Sequence, residues 1–133
     1  MECYLDNSAT TKPCKAAVDA EISALTELYG NPSSLHQKGV DAYMLLEKSR
    51  GTIAASLKAS PDEIYFTPCG TVSNNTAIFG AVGAKKRLGK KIVTTALEHP
   101  SVEKCMERLE GSGFEVVRGQ PQSDGNRSLK DVE

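Results

Sequence analysis

The sequence has no surplus of charge of either sign: 16 Lys and Arg stand against 17 Asp and Glu, a formal net charge of -1 over 133 residues. A balance that even offers no long-range attraction to nucleic acid or to an anionic membrane, and neither is expected as a partner. It also lacks paired cysteines. Cys3, Cys14, Cys69 and Cys105 are irregularly spaced with no C-x-x-C, which argues against a zinc site and a secreted disulfide framework and for free thiols in a reducing cytoplasm. No apolar run approaches membrane-spanning length, no charged segment leads into an apolar one at the start, and no internal repeat or low-complexity stretch appears. What remains is 39% hydrophobic and 25% charged residues, the composition of a globular domain with one modest core.

The patterning changes along the chain. Cys3-Tyr4-Leu5 is a short strand-like start ending at Asp6-Asn7-Ser8. After Pro13, Val18, Ile22, Leu25 and Tyr29 recur at helical spacing, and Gly30 stands where a helix stop belongs. Asn31-Pro32-Ser33-Ser34 is a polar turn cluster, and His36 beyond it is expected to be exposed. A second helix is predicted from Gln37 to Leu57, with Val40, Met44, Ile53 and Leu57 near one face and Gly51 as an internal weakness of about 1 kcal/mol.

Beyond Ser60-Pro61-Asp62 the period shortens. Glu63-Ile64-Tyr65-Phe66-Thr67 predicts a strand, Ser73 to Leu88 a helix whose Gly80 and Gly83 suggest close packing on a sheet, and Ile92-Val93-Thr94-Thr95 another strand. A further helix follows with Ser101 as N-cap and Val102, Met106 and Leu109 on one stripe. Gly113 closes it before the strand Phe114–Val117. Asp124-Gly125 is a turn, and Ser128-Leu129-Lys130-Asp131 begins another helix, within whose first turn the sequence stops. Alternating strands and helices predict an α/β fold with a mostly parallel sheet flanked by helices.

Two features could carry chemistry. Thr67-Pro68-Cys69-Gly70-Thr71-Val72-Ser73-Asn74-Asn75 joins a strand to a helix start, where unpaired N–H groups and the helix dipole favour an anion. Gly70 would let backbone come close to a phosphate, and the Thr71 and Ser73 hydroxyls could donate to it. The same residues also serve ordinary capping, and no Gly-Lys-Ser/Thr follows to make a nucleotide loop. His99 lies just past the next strand, at the carboxyl edge where open α/β sheets bind ligands. An imidazole there can stack on a flat ring, exchange protons, or simply cap a helix. Neither histidine has metal-ligand spacing to the other, and no metal is expected.

Tyr4-Leu5-Asp6-Asn7-Ser8-Ala9-Thr10-Thr11, Gly30-Asn31-Pro32-Ser33-Ser34-Leu35-His36, Phe66-Thr67 with Gly70-Thr71 and Asn75, and Glu98-His99-Pro100-Ser101-Val102 occur in the order and spacing of one family. The chain resembles the N-terminal portion of NifS/IscS-type cysteine desulfurases, fold-type I pyridoxal 5'-phosphate (PLP) enzymes of the class V aminotransferase group. The resemblance implies an incomplete PLP-transferase large domain over residues 15–133, preceded by a small-domain segment over residues 1–14. It implies that Gly70 and Thr71 contact the cofactor phosphate and that His99 stacks on the pyridine ring and takes part in proton transfer.

The implied reaction converts L-cysteine to L-alanine and passes sulfur on as a persulfide, for iron–sulfur cluster assembly or thio-modification. An iron–sulfur scaffold or another sulfur-acceptor protein is then a partner, and the implied assembly is a homodimer or a complex with a complementing C-terminal chain. Three departures stand in the phosphate loop: Pro68 for serine, Cys69 for the first glycine, and Val72 for glutamate. The family's cofactor-anchoring lysine, pyridinium-facing aspartate and nucleophilic cysteine lie downstream of Glu133, so the chain alone is expected to be inactive. A desulfurase-like binding or dimerisation module, a selenocysteine lyase or a related class V aminotransferase are alternatives on the same motifs.

Overall fold

Pro13 and the polar residues before it keep the chain out of a helix until Lys15, and α1 then runs Lys15–Thr26. The computed structural model describes residues 3–121. Two compact units, 1–65 and 66–133, organise the chain.

In the first unit the opening residues form a turn, not the expected strand. Asp6 O accepts the Ala9 and Thr10 N–H groups at 3.2 and 3.3 Å, and the Tyr4 hydroxyl closes the turn by donating to Thr10 O at 2.9 Å. Helix α1 ends three residues before Tyr29. Lys38 Nζ donates to the Glu27 carbonyl at 2.9 Å and lies 5.2 Å from the Tyr29 ring centroid, a cation at a helix C-terminus where the dipole favours one. Gly30 is therefore not the helix stop. A Cβ there would sit 2.0 Å from Lys38 O, and one on Gly39 would sit 2.2 Å from Ser34 O, so both glycines permit backbone to touch backbone.

The Asn31 turn forms as expected, its Oδ1 accepting Ser33 N–H at 2.9 Å. Helix α2 spans Gln37–Leu57, the predicted bounds, capped by exposed His36, whose Nδ1 accepts Gly39 N–H at 3.3 Å. Lys58 ends it in the left-handed region with φ 54°. The residues α2 buries are small, Gly39, Ala42 and Ala54. The predicted apolar stripes, Val18, Ile22 and Leu25 on α1 and Val40, Met44, Ile53 and Leu57 on α2, remain exposed. On α2 the stripe is not one face: at about 100° per residue Val40 and Met44 lie on the opposite side of the helix from Ile53 and Leu57.

Between the helices and the second unit the predicted strand Glu63–Thr67 does not form. Pro61–Glu63 is a single 3-10 turn in which the Glu63 carboxylate accepts Ser60 N–H at 2.7 Å. Ile64 is extended, but among the described residues no strand pairs with this segment, and a strand exists only with a partner.

The second unit is a β–α–β arrangement with one helix ahead of it. Helix α3 spans Gly70–Lys85, β1 Lys91–Thr95, α4 Pro100–Gly111 and β2 Glu115–Gly119. The strands pair in parallel from Lys91 with Glu115 to Thr95 with Gly119, and the ladder is extended by Glu115 N–H to Lys90 O at 2.8 Å and Ala96 N–H to Gly119 O at 3.1 Å. That is the parallel α/β pattern expected.

Helix α4 carries the core: Cys105, Met106 and Leu109 are each at most 5% exposed, and the last two lie on the predicted stripe. Gly113, at φ 84°, makes the turn into β2. Arg118 of β2 ties the sheet to α4, with its guanidinium 2.7 Å from both Glu103 and Glu110. Gly80 and Gly83 do not mark close packing, since a Cβ at either meets nothing within 4 Å. The Asp124-Gly125 turn and the helix start at Ser128 lie outside the described residues. No described helix is long and apolar enough to cross a membrane.

Candidate functional site

Helix α3 begins at Gly70, three residues earlier than the sequence predicts, so the loop residues of interest form its first turn. Its first intrahelical bond is Ser73 N–H to Cys69 O at 3.1 Å. The N–H groups of Gly70, Thr71 and Val72 precede that bond and have no carbonyl one turn back to receive them. Cys69 sits at the N-cap position, and its side chain makes no capping hydrogen bond. The turn thus presents backbone donors and the positive end of the helix dipole to solvent. A Cβ on Gly70 would meet nothing within 4 Å, so the position beside this first turn is open.

The departures in the loop are milder in three dimensions than in sequence. Cys69 has φ -165°, extended backbone that any residue adopts, so the loop does not require glycine there. Pro68 contributes no N–H, but the donors at the helix start come from the residues after it. The Ser73 hydroxyl is engaged within the loop. Its Oγ lies 2.5 Å from Thr67 Oγ1; one hydroxyl donates to the other, and the second is left to donate to Cys69 O, which pins the loop to the helix it precedes. Thr71 keeps its place at the exposed start of α3, while its carbonyl accepts Asn75 Nδ2 at 2.7 Å.

His99 is the N-cap of α4, with Pro100 at the first helical position, where its missing N–H costs nothing. The expected cap, Ser101, lies inside the first turn. The His99 Nδ1 accepts the Ser101 backbone N–H at 3.1 Å and faces Ser101 Oγ at 2.8 Å. His99 is thus both a capping histidine and an exposed ring with its other nitrogen available. Capping uses only Nδ1.

Two residues that the sequence does not single out connect these features. Asn74 of α3 donates through Nδ2 to Ser101 Oγ at 2.8 Å, and Cys105 donates to Asn75 Oδ1 at 3.2 Å. The start of α3 and the start of α4 are thereby joined side chain to side chain, with the His99 ring at the end of the chain of bonds. The Asn74–Ser101 pair spans 27 positions, a separation at which no local spacing rule gives a signal. Glu98, beside His99, receives the Thr95 hydroxyl and so fixes the turn leaving β1. All four cysteines are free, Cys105 buried and the others exposed. Among the described residues no cluster of His, Cys, Asp and Glu could hold a metal ion.

Comparison with known proteins gives this arrangement a lineage. Residues 3–133 match the family described as aminotransferase class-V. A NifS/IcsS protein homolog of Lactobacillus delbrueckii subsp. bulgaricus is 46% identical over 129 residues, 97% of this chain and 34% of the relative. The cysteine desulfurase IscS of Methanosarcina thermophila is 43% identical over 114 residues, 86% of this chain and 28% of the relative. Among solved structures a NifS-like protein superposes with a TM-score of 0.88 at 35% identity, over 99% of this chain and 36% of that one. The chain therefore spans about a third of the length of the relatives it matches. It belongs to the class-V aminotransferase family, among sequences of the NifS/IscS cysteine desulfurase type.

Proposed function

We propose that this chain supplies the phosphate cradle and the ring-facing histidine of a PLP-dependent cysteine desulfurase, which converts L-cysteine to L-alanine and hands the sulfur on as a persulfide. The observation that carries the reading is the side-chain bridge holding the open N-terminus of α3 and the His99 ring in one site. The residues present fit a phosphate-bearing ring. Open space at Gly70 admits the anion, and unpaired backbone donors receive it.

In this reading Gly70 and Thr71 bind the cofactor phosphate, with the Thr71 hydroxyl adding a side-chain donor. His99 stacks on the pyridine ring and holds or moves a proton at Nε2, the nitrogen that capping leaves over. PLP, when bound, supplies an electron sink for bond cleavage at the substrate α-carbon. Residues 1–14 belong to a small domain and residues 15–133 to the large PLP domain. The exposed apolar faces of α1 and α2 are covered in a homodimer or by further polypeptide. The protein works in the cytoplasm, with an iron–sulfur scaffold or another acceptor taking the sulfur.

The test is alanine formed from L-cysteine by the full protein loaded with PLP. Equal release of alanine and persulfide sulfur is expected. Transamination of other amino acids with no sulfur release from cysteine would replace this reading with that of a different class V enzyme.

A further inference from the structure

The bridge between the two helices fixes where the hydrogens of His99 can be. The Ser101 backbone N–H is only a donor, and it points at His99 Nδ1 at 3.1 Å. Nδ1 must therefore be an acceptor, and the neutral ring carries its hydrogen on Nε2. The Ser101 hydroxyl lies 2.8 Å from the same Nδ1 and 2.8 Å from Asn74 Nδ2. An amide nitrogen only donates, so the hydroxyl oxygen accepts from Asn74 and its own hydrogen is directed at Nδ1. The two Ser101 donors then share the single Nδ1 lone pair, and the hydroxyl takes the shorter, stronger share.

Ser101 is 8% exposed, so no water competes freely for this hydroxyl. A buried hydroxyl left without partners is destabilising, so Ser101 keeps both its bonds, from Asn74 and to His99. Backbone capping alone would allow the imidazole to pivot about a single hydrogen bond. The second donor, itself oriented from α3, holds the ring plane in register with the helix that starts at Gly70.

We propose that Asn74 and Ser101 are positioning residues: an amide on α3 orients a hydroxyl on α4, which holds the His99 ring with Nδ1 committed and Nε2–H directed away. The importance of that ring for chemistry rests on the function proposed above, whereas the relay itself does not. Any proton exchange with a ligand must then run through Nε2.

The test is the ¹⁵N resonances of the His99 ring in the full protein, recorded with the ring neutral. The wild type is expected to show a protonated Nε2 and a hydrogen-bonded, unprotonated Nδ1. Ser101→Ala should move the Nδ1 resonance toward the unbonded position while Nε2 stays protonated, because the backbone N–H persists. Asn74→Asp, the same shape with its donor replaced by an acceptor, should draw the Ser101 hydroxyl away and move Nδ1 in the same direction. The double variant should move it no further than Ser101→Ala alone. A wild-type proton on Nδ1, an Nδ1 resonance indifferent to Ser101→Ala, or additive shifts in the double variant would overturn the proposal.

With cofactor and cysteine, either single variant should lower kcat roughly tenfold or more with little change in KM, the signature of misorientation rather than lost binding. Unchanged kcat would remove the positioning role even if the resonances moved. Absence of desulfurase activity in the wild type, with the resonances behaving as described, would count against the proposed function and leave the relay standing.

Discussion

Gly30 and Lys38 meet backbone to backbone: a Cβ on Gly30 would lie 2.0 Å from the Lys38 carbonyl oxygen. The contact folds the end of the α1 region onto the first turn of α2, where the Lys38 side chain also reaches the Glu27 carbonyl. Alanine at position 30 has no flexible neighbour to displace, so the backbone itself must move. Overpacking of that kind costs about 1–3 kcal/mol. Gly51, in the interior of α2, has nothing within 4 Å of its would-be Cβ. Gly30→Ala should therefore lower the urea midpoint, and Gly51→Ala should raise it by the equivalent of about 0.5–1 kcal/mol. Equal effects of the two substitutions would refute the contact.

The second prediction concerns the small core of the second unit. Leu109 is 5% exposed on α4, beside Met106 and Cys105, whereas Leu35 is 99% exposed. Leu109→Ala should destabilise by about 2–5 kcal/mol, the range for a buried leucine whose cavity closes incompletely. Leu35→Ala should change stability by less than about 0.5 kcal/mol. Denaturant unfolding of the two variants beside the wild type is the check, and a small loss at Leu109 would mean that α4 is not the core element it looks to be.

Much of this fold was legible because its signals are local. The bounds of α2 follow from helical spacing between a turn cluster and Ser60-Pro61, and the parallel pairing of β1 and β2 follows from the intervening helix. The structure departs from the expectation where the deciding interaction is distant in sequence. Gly30 reads as a helix stop until Lys38 is placed against it, and Glu63–Thr67 reads as a strand although pairing belongs to two segments and not one. The cap of α4 is His99 and not the expected Ser101 for a different reason. Serine is the commoner cap, but Pro100 at the first helical position was the available sign that His99 precedes it. Gly70, Thr71 and His99 were visible as candidates, while Asn74 and Ser101 acquire meaning only once α3 and α4 lie side by side.

Acid should loosen the sheet from α4. Hydrogen bonds from Arg118 hold the Glu110 carboxyl below the ordinary glutamate range, with desolvation opposing and the charge of Arg118 assisting. A carboxyl depressed by folding contributes stability that is fully present above its unfolded value, about 4.3, and is lost as pH falls through the lower folded value. Melting temperature should therefore decline in acid, and Arg118→Met should flatten that decline. Asp62, held low by the Ser60 side chain, titrates in the same direction and should be untouched by the Arg118 substitution. An acid limb identical in wild type and Arg118→Met would show that the ion pair carries no linkage.

Gly70 offers a way to separate folding from ligand binding. Its would-be Cβ lies in open space, and it occupies the first helical position of α3, where alanine is no worse a residue. Gly70→Ala should thus fold as well as the wild type or slightly better. The added methyl would stand in front of the N–H groups of Gly70's own turn, the donors assigned to the phosphate. A larger side chain, as in Gly70→Val, should block them more completely. Titration of the full protein with PLP, followed by the cofactor's absorption, should show affinity falling from glycine to alanine to valine at constant melting temperature. If affinity and stability fell together, the glycine would be a requirement of the fold; if affinity held through valine, the phosphate would have to sit elsewhere.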